Sequence, residues 1–466
     1  MNNRVILSLL ATLALAVLLS GCESFDGLEM RREHAESFVG RAETITEQVL
    51  ADYDALTLDD CINIALENSL TVKVAQIEGR VATLEKNISF ANFLPAVSLN
   101  YDAYGSDPAR QIKFGGQGLA MSDKHVREVS WQIQMSIFNP MTWFLHSMHQ
   151  RGEEIAELVL DYTRQMIVLE VTARYYQCLA LEQSERALES QLEAVEAFAE
   201  DVKAFCAEGV APRWQGLEAQ VALKERRNSL RAIRDEQIKA RAILMGVMGL
   251  SPLHAITLSQ ETPLERPQGS LNDYVLEALL NHPRLAIADR RIAVEKDKAK
   301  IAIADFLPSL VGFASRTNSS DSHLMYRNYW MGGLSGTLSV FSGFANVNAY
   351  KAAKQNATKA FVQRELDALT LMLEIVKADL NLTDREDNMS LAEIAYEAAS
   401  ARYEEFRAHW KEGLVDSAQM LDALARRDQA QANVMNARYR LQVSIATLLN
   451  VMGRTDTSIG SSIDDN

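Results

Sequence analysis

Apolar side chains recur at heptad spacing along an unusually long stretch of the chain that contains no proline. Within residues 141–207 they follow 4-3 intervals, first from Ile155 to Ala180 and then from Leu188 to Cys206. This spacing is typical of coiled-coil seams, and an unbroken helix of that size is about 100 Å long. A helix that is apolar on more than one side fits the wall of a tube, although an ordinary two-helix coiled coil explains this stretch equally well.

The chain contains one structural unit twice. Residues 57–97 match residues 270–310 at a constant offset, and the match resumes near the end of each half at a slightly different offset. The shared motifs are Phe-Leu-Pro at 93–95 and 306–308, Glu-Gly at 208–209 and 412–413, and Met-Gly at 248–249 and 452–453. A match that holds register at two distant places in each copy indicates a tandem repeat.

Each repeat is predicted to hold one long helix beside two shorter ones. In the first repeat, segments 70–91 and 212–249 together are nearly as long as 141–207. Two short helices stacked end to end are therefore expected to run alongside the long helix. The corresponding segments of the second repeat are 283–304, 415–452 and 343–411. A glycine follows each long helix, at Gly209 and Gly413, as expected where a helix ends and the chain reverses.

Each repeat also contains a pair of segments with strand character. Apolar and polar residues alternate over 97–104 and 129–137, within a predicted strand pair at about 95–138. They alternate again over 334–340, within a second pair at about 308–341. Outer-membrane strands are apolar outside and polar inside, but a half-buried soluble sheet has the same pattern. Four strands are too few to close a transmembrane barrel, so a barrel requires that two, three or four chains share it.

The N-terminus resembles a bacterial lipoprotein export signal. Arg4 precedes an apolar run from Val5 to Leu19, which is too short for a membrane-spanning helix and ends in Leu-Ser-Gly-Cys at Cys22. We predict a covalent lipid on Cys22 and no other cofactor, and Glu23 fits sorting to the outer membrane. An ordinary signal peptide with a chance cysteine is the alternative. The predicted segments are a lipoprotein signal peptide (1–21), an N-terminal lipid-anchored segment (22–56), a first repeat (57–250), a linker (251–270), a second repeat (271–453) and a flexible tail (454–466).

The duplicated helix opening at 58–68 and 271–281, the Phe-Leu-Pro motifs and the glycine turns resemble the TolC family of outer-membrane efflux factors. The resemblance covers residues 57–453, and the lipobox resembles the lipid-anchored branch that serves multidrug pumps of the RND type. It implies a mainly α fold with a small β part: a long α-helical coiled-coil barrel built from a tandem repeat, plus four strands per chain in a shared 12-stranded transmembrane β-barrel. It also implies a homotrimer that acts as a passive channel, and its expected partners are a periplasmic adaptor (membrane fusion) protein and an inner-membrane pump.

The resemblance further implies a channel gate near the second glycine turn. The family closes its periplasmic tip partly with rings of aspartate in the helix that follows this turn. Aligning Gly413 and the Leu-Asp-Ala motif at 421–423 places Asp422 on one ring position and Gln419 on the other. Gln419 departs from the family's aspartate, and Asp416 lies close enough to take its place. A solvated acid favoured by the helix dipole is the alternative interpretation of Asp422.

Composition and charge exclude several other functions. The formal net charge of −15 leaves no basic face for nucleic acid. His146 and His149 share a helical face without a third ligand, and the glycine-rich segment 115–118 fits a flexible external loop better than a phosphate loop. We therefore predict no metal site, no catalytic residue and no enzyme.

Three cysteines are expected as buried apolar side chains on helices: Cys61, Cys178 and Cys206.

Two functional classes remain open from the sequence. The first is a transport duct in the bacterial outer membrane with a periplasmic helical tube, and the second is a periplasmic coiled-coil scaffold lipoprotein. The alternating strands at matched places in both repeats favour the duct, because a scaffold has no need of them. Within that class, multidrug efflux, metal-ion efflux and type I protein secretion share the same architecture.

Overall fold

The computed structural model describes residues 26–454 except 108, 116 and 260–262. In chain order, the elements of this part are α1 (Gly27–Leu50), α2 (Leu58–Asn68), α3 (Leu70–Ala91), β1 (Ala96–Gly105), β2 (Gln111–Phe114), β3 (Gln117–Ala120), β4 (His125–Phe138), α4 (Pro140–Ala207), α5 (Arg213–Val247), α6 (Leu271–Asn281), α7 (Pro283–Ala304), β5 (Ser309–Ser319), β6 (Asn328–Thr337), α8 (Ala345–Lys411) and α9 (Ser417–Val451). This mainly α fold with a small β part confirms the fold class predicted from the sequence.

Equivalent helices of the two repeats begin with the same local signal. Thr57 precedes α2 and forms a capping box with Asp60, and Ser270 precedes α6 and forms one with Asp273. In each box the hydroxyl accepts a hydrogen bond from the backbone N–H of the acid, while the carboxylate accepts one from the backbone N–H of the cap residue. The hydrogen bonds donated by Ser270 also hold the pKa of Asp273 below its usual value.

Along the long helices α4 and α8 the other helices form two layers, one near the sheet and one further from it. Both long helices start beside the sheet, because each follows the last strand of its repeat. Near the sheet the order of neighbouring helices is α3, α4, α7 and α8, and further away it is α5, α4, α9 and α8. The contacts of α4 with α7 and with α9 thus join the two repeats. Among the described residues, no helix has the length and apolarity that a membrane span requires.

Three clusters of buried side chains hold these layers together. One surrounds α2 and the middle of α4, the second surrounds α6 and the middle of α8, and the third lies at the end of the long helices far from the sheet. In α4, Val171 and Tyr175 are fully buried, whereas Met166 of the predicted heptad run is 40% exposed. Because α4 packs against helices on several sides, a single heptad seam describes only part of its buried surface.

The strands form one antiparallel sheet in the order β1-β4-β5-β6. β1 pairs with β4, β4 with β5 and β5 with β6, so the central contact joins the strand pairs of the two repeats. The segment of the chain that connects β1 to β4 forms a separate hairpin of β2 and β3. The interpretation of 115–118 as a flexible loop is therefore wrong in part: Gly115 occupies the hairpin turn with φ of +59°, and β3 begins at Gln117.

His282 links the two short helices of the second repeat and is nearly inaccessible to solvent. Its ring Nδ1 accepts a hydrogen bond of 3.1 Å from the backbone N–H of Arg284, at the start of α7. Burial, together with the neighbouring Arg284 guanidinium, lowers the pKa of His282 from 6.5 to about 4, and the Glu374 carboxylate opposes this shift. The folded protein therefore holds this imidazole neutral.

We expect acid to weaken the fold through His282. A histidine whose folded-state pKa is lowered stabilises the fold above pH 6.5, and this contribution disappears as the pH falls from 6.5 towards 4. Titration of this one imidazole therefore lowers the free energy of unfolding by about 2–3 kcal/mol. His282→Asn keeps a hydrogen-bond acceptor for Arg284 but does not titrate. Melting temperatures recorded by circular dichroism should fall less between pH 6.5 and pH 4 in this variant, and equal falls would contradict the assignment.

Candidate functional site

The ends of α4 and α8 far from the sheet, here called the tip, carry two equivalent reversals of the chain. Gly209 and Gly413 follow the long helices with φ of +77° and +73°. Val210 and Leu414 then donate backbone hydrogen bonds back to Phe205 and His409, respectively. These are Schellman motifs, which require a left-handed residue after the helix and therefore favour glycine. The duplicated Glu-Gly motif thus marks the two reversals, as the sequence predicts.

Asp416 and Gln419 are bonded to each other at the first turn of α9. The Asp416 carboxylate accepts the backbone N–H of Gln419 at 2.8 Å, and Gln419 Oε1 accepts the backbone N–H of Asp416 at 3.2 Å. This reciprocal arrangement is a capping box, which fixes the start of α9. Both predicted gate residues therefore have a structural role at the tip.

Asp422 lies two turns into α9 and is paired with two cations. Its Oδ2 accepts a hydrogen bond of 2.8 Å from Nε of Arg426, and Nη2 of Arg402 on α8 lies 3.8 Å away. The hydrogen bond from Arg426 holds the pKa of Asp422 below its usual value, and the charge of Arg402 acts in the same direction. The side chain is 48% exposed and lines a groove between α5 and α9, to which Glu218 also contributes. Asp422 is thus an ionised group at the surface of the tip.

A buried polar cluster, here called the polar node, lies behind this surface and was missed by the sequence analysis. Asp428 Oδ2 of α9 lies 2.5 Å from Nη2 of Arg226 on α5. Arg226 also donates to Gln191 of α4 at 2.9 Å, and Gln191 donates to Gln431 of α9 at 2.9 Å. Burial raises the pKa of Asp428, which is opposed by the charges of Arg226 and Arg427.

The polar node joins helices of both repeats. Because Asp428 is only 3% exposed as a side chain, its charge depends on the two guanidinium groups rather than on water. One signal in the sequence pointed to it: Asp428 stands one turn after Leu424 and two turns after Met420, both buried, so an acid occupies the apolar face of α9.

The remaining predicted residues lie apart from the tip or outside the described residues, except Cys206, which lies at the tip end of α4. Cys22 lies outside the described residues. His146 Nδ1 lies 2.9 Å from the Ser89 hydroxyl, while His149 Nδ1 lies 3.8 Å from a Glu85 carboxylate oxygen, so the two histidines contact different partners. Cys61 and Cys178 are buried as predicted, and Cys206 is half-buried.

Comparison with known proteins gives the family. The sequence profile described as "Outer membrane efflux protein" matches residues 61–250 and 275–454. No curated protein sequence matches the chain. Among solved structures, the fold is similar to the CmeC outer membrane channel of Campylobacter jejuni, with a TM-score of 0.75 at 16% identity over 85% of each chain.

Two further outer-membrane proteins have the same fold. VceC of Vibrio cholerae gives a TM-score of 0.74 at 15% identity, covering 85% of this chain and 96% of its own. The MtrE outer membrane channel of Neisseria gonorrhoeae gives 0.71 at 16% identity, covering 85% of this chain and 89% of its own. Because the profile matches most of both repeats, the chain belongs to the outer membrane efflux protein family.

Proposed function

We propose that this chain is the outer-membrane duct of a tripartite efflux system. An inner-membrane pump supplies the energy, a periplasmic adaptor joins pump and duct, and substrates cross the outer membrane passively. We assign no catalytic role, since the channels of similar fold are ducts rather than enzymes. The observation that carries the proposal is that the sheet and the helical layer near it each end in open, unlike edges that a neighbouring copy can close.

The sheet has two open edges. β1 and β6 are its outer strands, and both are exposed to solvent along their whole length. Unpaired strand edges leave backbone N–H and C=O groups free to pair with another chain. Since β1 and β6 run at opposite edges, β6 of one copy is available to pair with β1 of the next.

The helical layer near the sheet has two open edges of the same kind. Its outer helices are α3 and α8, and each carries exposed apolar residues at heptad spacing. On α3 these are Leu70, Val74, Ile77, Val81, Leu84 and Ile88, and on α8 they are Val362, Leu366, Leu369, Leu373 and Leu380. Such seams bury themselves against a partner helix. A contact between two unlike edges is heterologous, and it closes into a ring when the rotation from one copy to the next divides a full turn.

We expect three copies in that ring, in line with the resemblance. The full chain purified in detergent should have the mass of a trimer by mass photometry, and it should form discrete conducting steps in planar bilayers. A stable monomer that retains its strands by circular dichroism and conducts no ions would contradict the duct and favour the scaffold.

We further propose that Asp422 takes part in the gate at the tip. Converging carboxylates attract cations and repel anions, so a ring of Asp422 acts as an electrostatic filter. In planar bilayers, Asp422→Ala should increase single-channel conductance or reduce block by divalent cations. Arg426→Ala removes the closest compensating charge, so it should strengthen that block. Asp416→Ala serves as the control and should change conductance less, because its carboxylate is engaged in capping α9. Unchanged block in all three variants would remove these residues from the gate.

A lipid anchor on Cys22 completes the proposal. A single acyl chain binds a membrane only marginally, whereas several chains on one cysteine hold a protein firmly. Metabolic labelling with palmitate should mark the wild type and be lost in Cys22→Ser. The variant should still enter the outer membrane through its strands, as judged by membrane fractionation. Label retained in Cys22→Ser would overturn the assignment.

A further inference from the structure

Two turns meet at the end of the sheet far from the helices. One turn precedes β4 at residues 121–124, and the other joins β5 to β6 at residues 320–327. Ser320 donates its backbone N–H to the carbonyl of Arg127, and its hydroxyl accepts the backbone N–H of Arg127, both at 2.9 Å. These bonds fix the second turn against the start of β4.

Two aspartates accept hydrogen bonds from the opposite turn. The Asp123 carboxylate accepts the backbone N–H of Ser322 at 2.7 Å and its hydroxyl at 2.8 Å. In return, Asp321 Oδ1 accepts the backbone N–H of Asp123 at 3.1 Å and that of His323 at 3.1 Å. The two carboxylates are therefore held in place by groups other than each other.

His323 completes this position. Its Nδ1 lies 3.4 Å from Asp123 Oδ1 and 3.3 Å from Asp321 Oδ1. The one potential ligand atom from each of the three residues lies within 4.8 Å of the other two. The contact with Asp321 Oδ1 has the geometry of a long hydrogen bond, and both separations exceed the 2.7–2.9 Å typical of charge-assisted ones. They match the roughly 3.3 Å edge of a tetrahedron whose centre lies about 2.0–2.1 Å from each ligand, as in zinc sites.

We propose that Asp123, Asp321 and His323 bind a divalent transition-metal ion of the zinc type and thereby clamp the two turns together. Imidazole and carboxylate are both zinc ligands, and three protein ligands leave one position for water. The dication neutralises two converging carboxylates. The hydrogen bonds from Ser322 and from the backbone orient the ligands, as outer groups do around bound metals. This site is separate from the tip and independent of the proposed duct.

The charge state of the carboxylates agrees with this role. Hydrogen bonds donated by Ser322 hold the pKa of Asp123 below its usual value, and the backbone N–H of His323 does the same for Asp321. Both groups are therefore anionic at neutral pH without a metal. The Asp321 side chain is only 9% exposed, whereas those of His323 and Asp123 are 35% and 33% exposed, so the ion would bind at the surface of the turns with Asp321 beneath it.

Titration of the full-length protein with Co²⁺ tests the site. After treatment with a chelator, the detergent-solubilised protein should bind one ion per chain and gain the visible absorption of tetrahedral Co²⁺, which Zn²⁺ should abolish. His323→Ala should weaken binding by about 100-fold or more, because even the loss of an outer group costs 10–100-fold. Asp123→Asn keeps one of the two accepting oxygens and removes the charge, so it should also bind weakly.

A matched histidine variant separates this site from adventitious binding. His34→Ala removes an exposed histidine of α1 and should leave Co²⁺ affinity unchanged. Circular dichroism confirms that each variant retains its strands and helices. The proposal is overturned if the wild type gains no absorption, or if His323→Ala and Asp123→Asn bind Co²⁺ as tightly as His34→Ala does.

Discussion

Gly249→Ala should destabilise the protein far more than the same change at Gly209. Both glycines follow a helix, with nearly equal φ of +76° and +77°. A Cβ on Gly249 would lie 2.4 Å from the carbonyl oxygen of Asn68 and 2.7 Å from its carbon, whereas a Cβ on Gly209 would meet nothing within 4 Å. Left-handed backbone costs alanine about 1–2 kcal/mol at either position. The clash with the backbone of α2 adds about 1–3 kcal/mol at Gly249 alone.

The second repeat supplies an intermediate case for this prediction. A Cβ on Gly453 would lie 3.2 Å from Cα of His282, which is tight but less severe than the contact at Gly249. Melting temperatures from circular dichroism should therefore fall in the order Gly209→Ala, Gly453→Ala, Gly249→Ala, with the last the lowest. Equal melting temperatures for Gly209→Ala and Gly249→Ala would show that α2 moves away without cost.

Arg226→Ala should be the most damaging single change at the tip. It leaves the buried Asp428 carboxylate with Arg427 alone and deprives Gln191 of a donor. Removing one partner of a buried ion pair costs about 3–5 kcal/mol, because the remaining charge stays out of water. The neighbouring Arg227 pairs with Glu196 in solvent, so Arg227→Ala should cost about 1 kcal/mol or less.

A double variant tests the cause. Arg226→Met with Asp428→Leu removes both charges and fills the space with apolar atoms, so it should recover most of the stability that Arg226→Ala loses. Denaturant unfolding of the four proteins measures these differences. If Arg226→Ala and Arg227→Ala unfold alike, the polar node contributes no more than a surface ion pair.

Much of the fold could be predicted from the sequence because its signals are local. Helix length follows from uninterrupted periodicity, the reversals follow from Gly209 and Gly413, and strand alternation identified β1, β4 and β6. The buried side of α4 could not be predicted, since it depends on helices that are far away along the chain. The hairpin of β2 and β3 was missed because its short strands show no alternation over several residues.

The site was predictable only where a single element carries it. Gln419 and Asp422 lie on α9 and Asp416 caps it, so their proximity follows from the sequence, as does the i, i+4 pairing of Asp422 with Arg426. Arg402 lies on α8, and its contact with Asp422 did not follow from the sequence. The polar node brings together three helices, and its members are separated by up to 240 residues along the chain. Asp123 and Asp321 come from different repeats, so their contact depends on the pairing of β4 with β5.

The open edges of the sheet and of the helical layer have a genetic consequence. Each copy in the proposed three-chain ring touches both neighbours through different surfaces, so a copy with one damaged edge still enters the ring through its intact edge. If such a copy is expressed in equal amount with the normal one, roughly one ring in eight contains normal copies only under random mixing. Edge mutations should therefore act as dominant inhibitors of transport, whereas mutations that unfold the chain should be recessive.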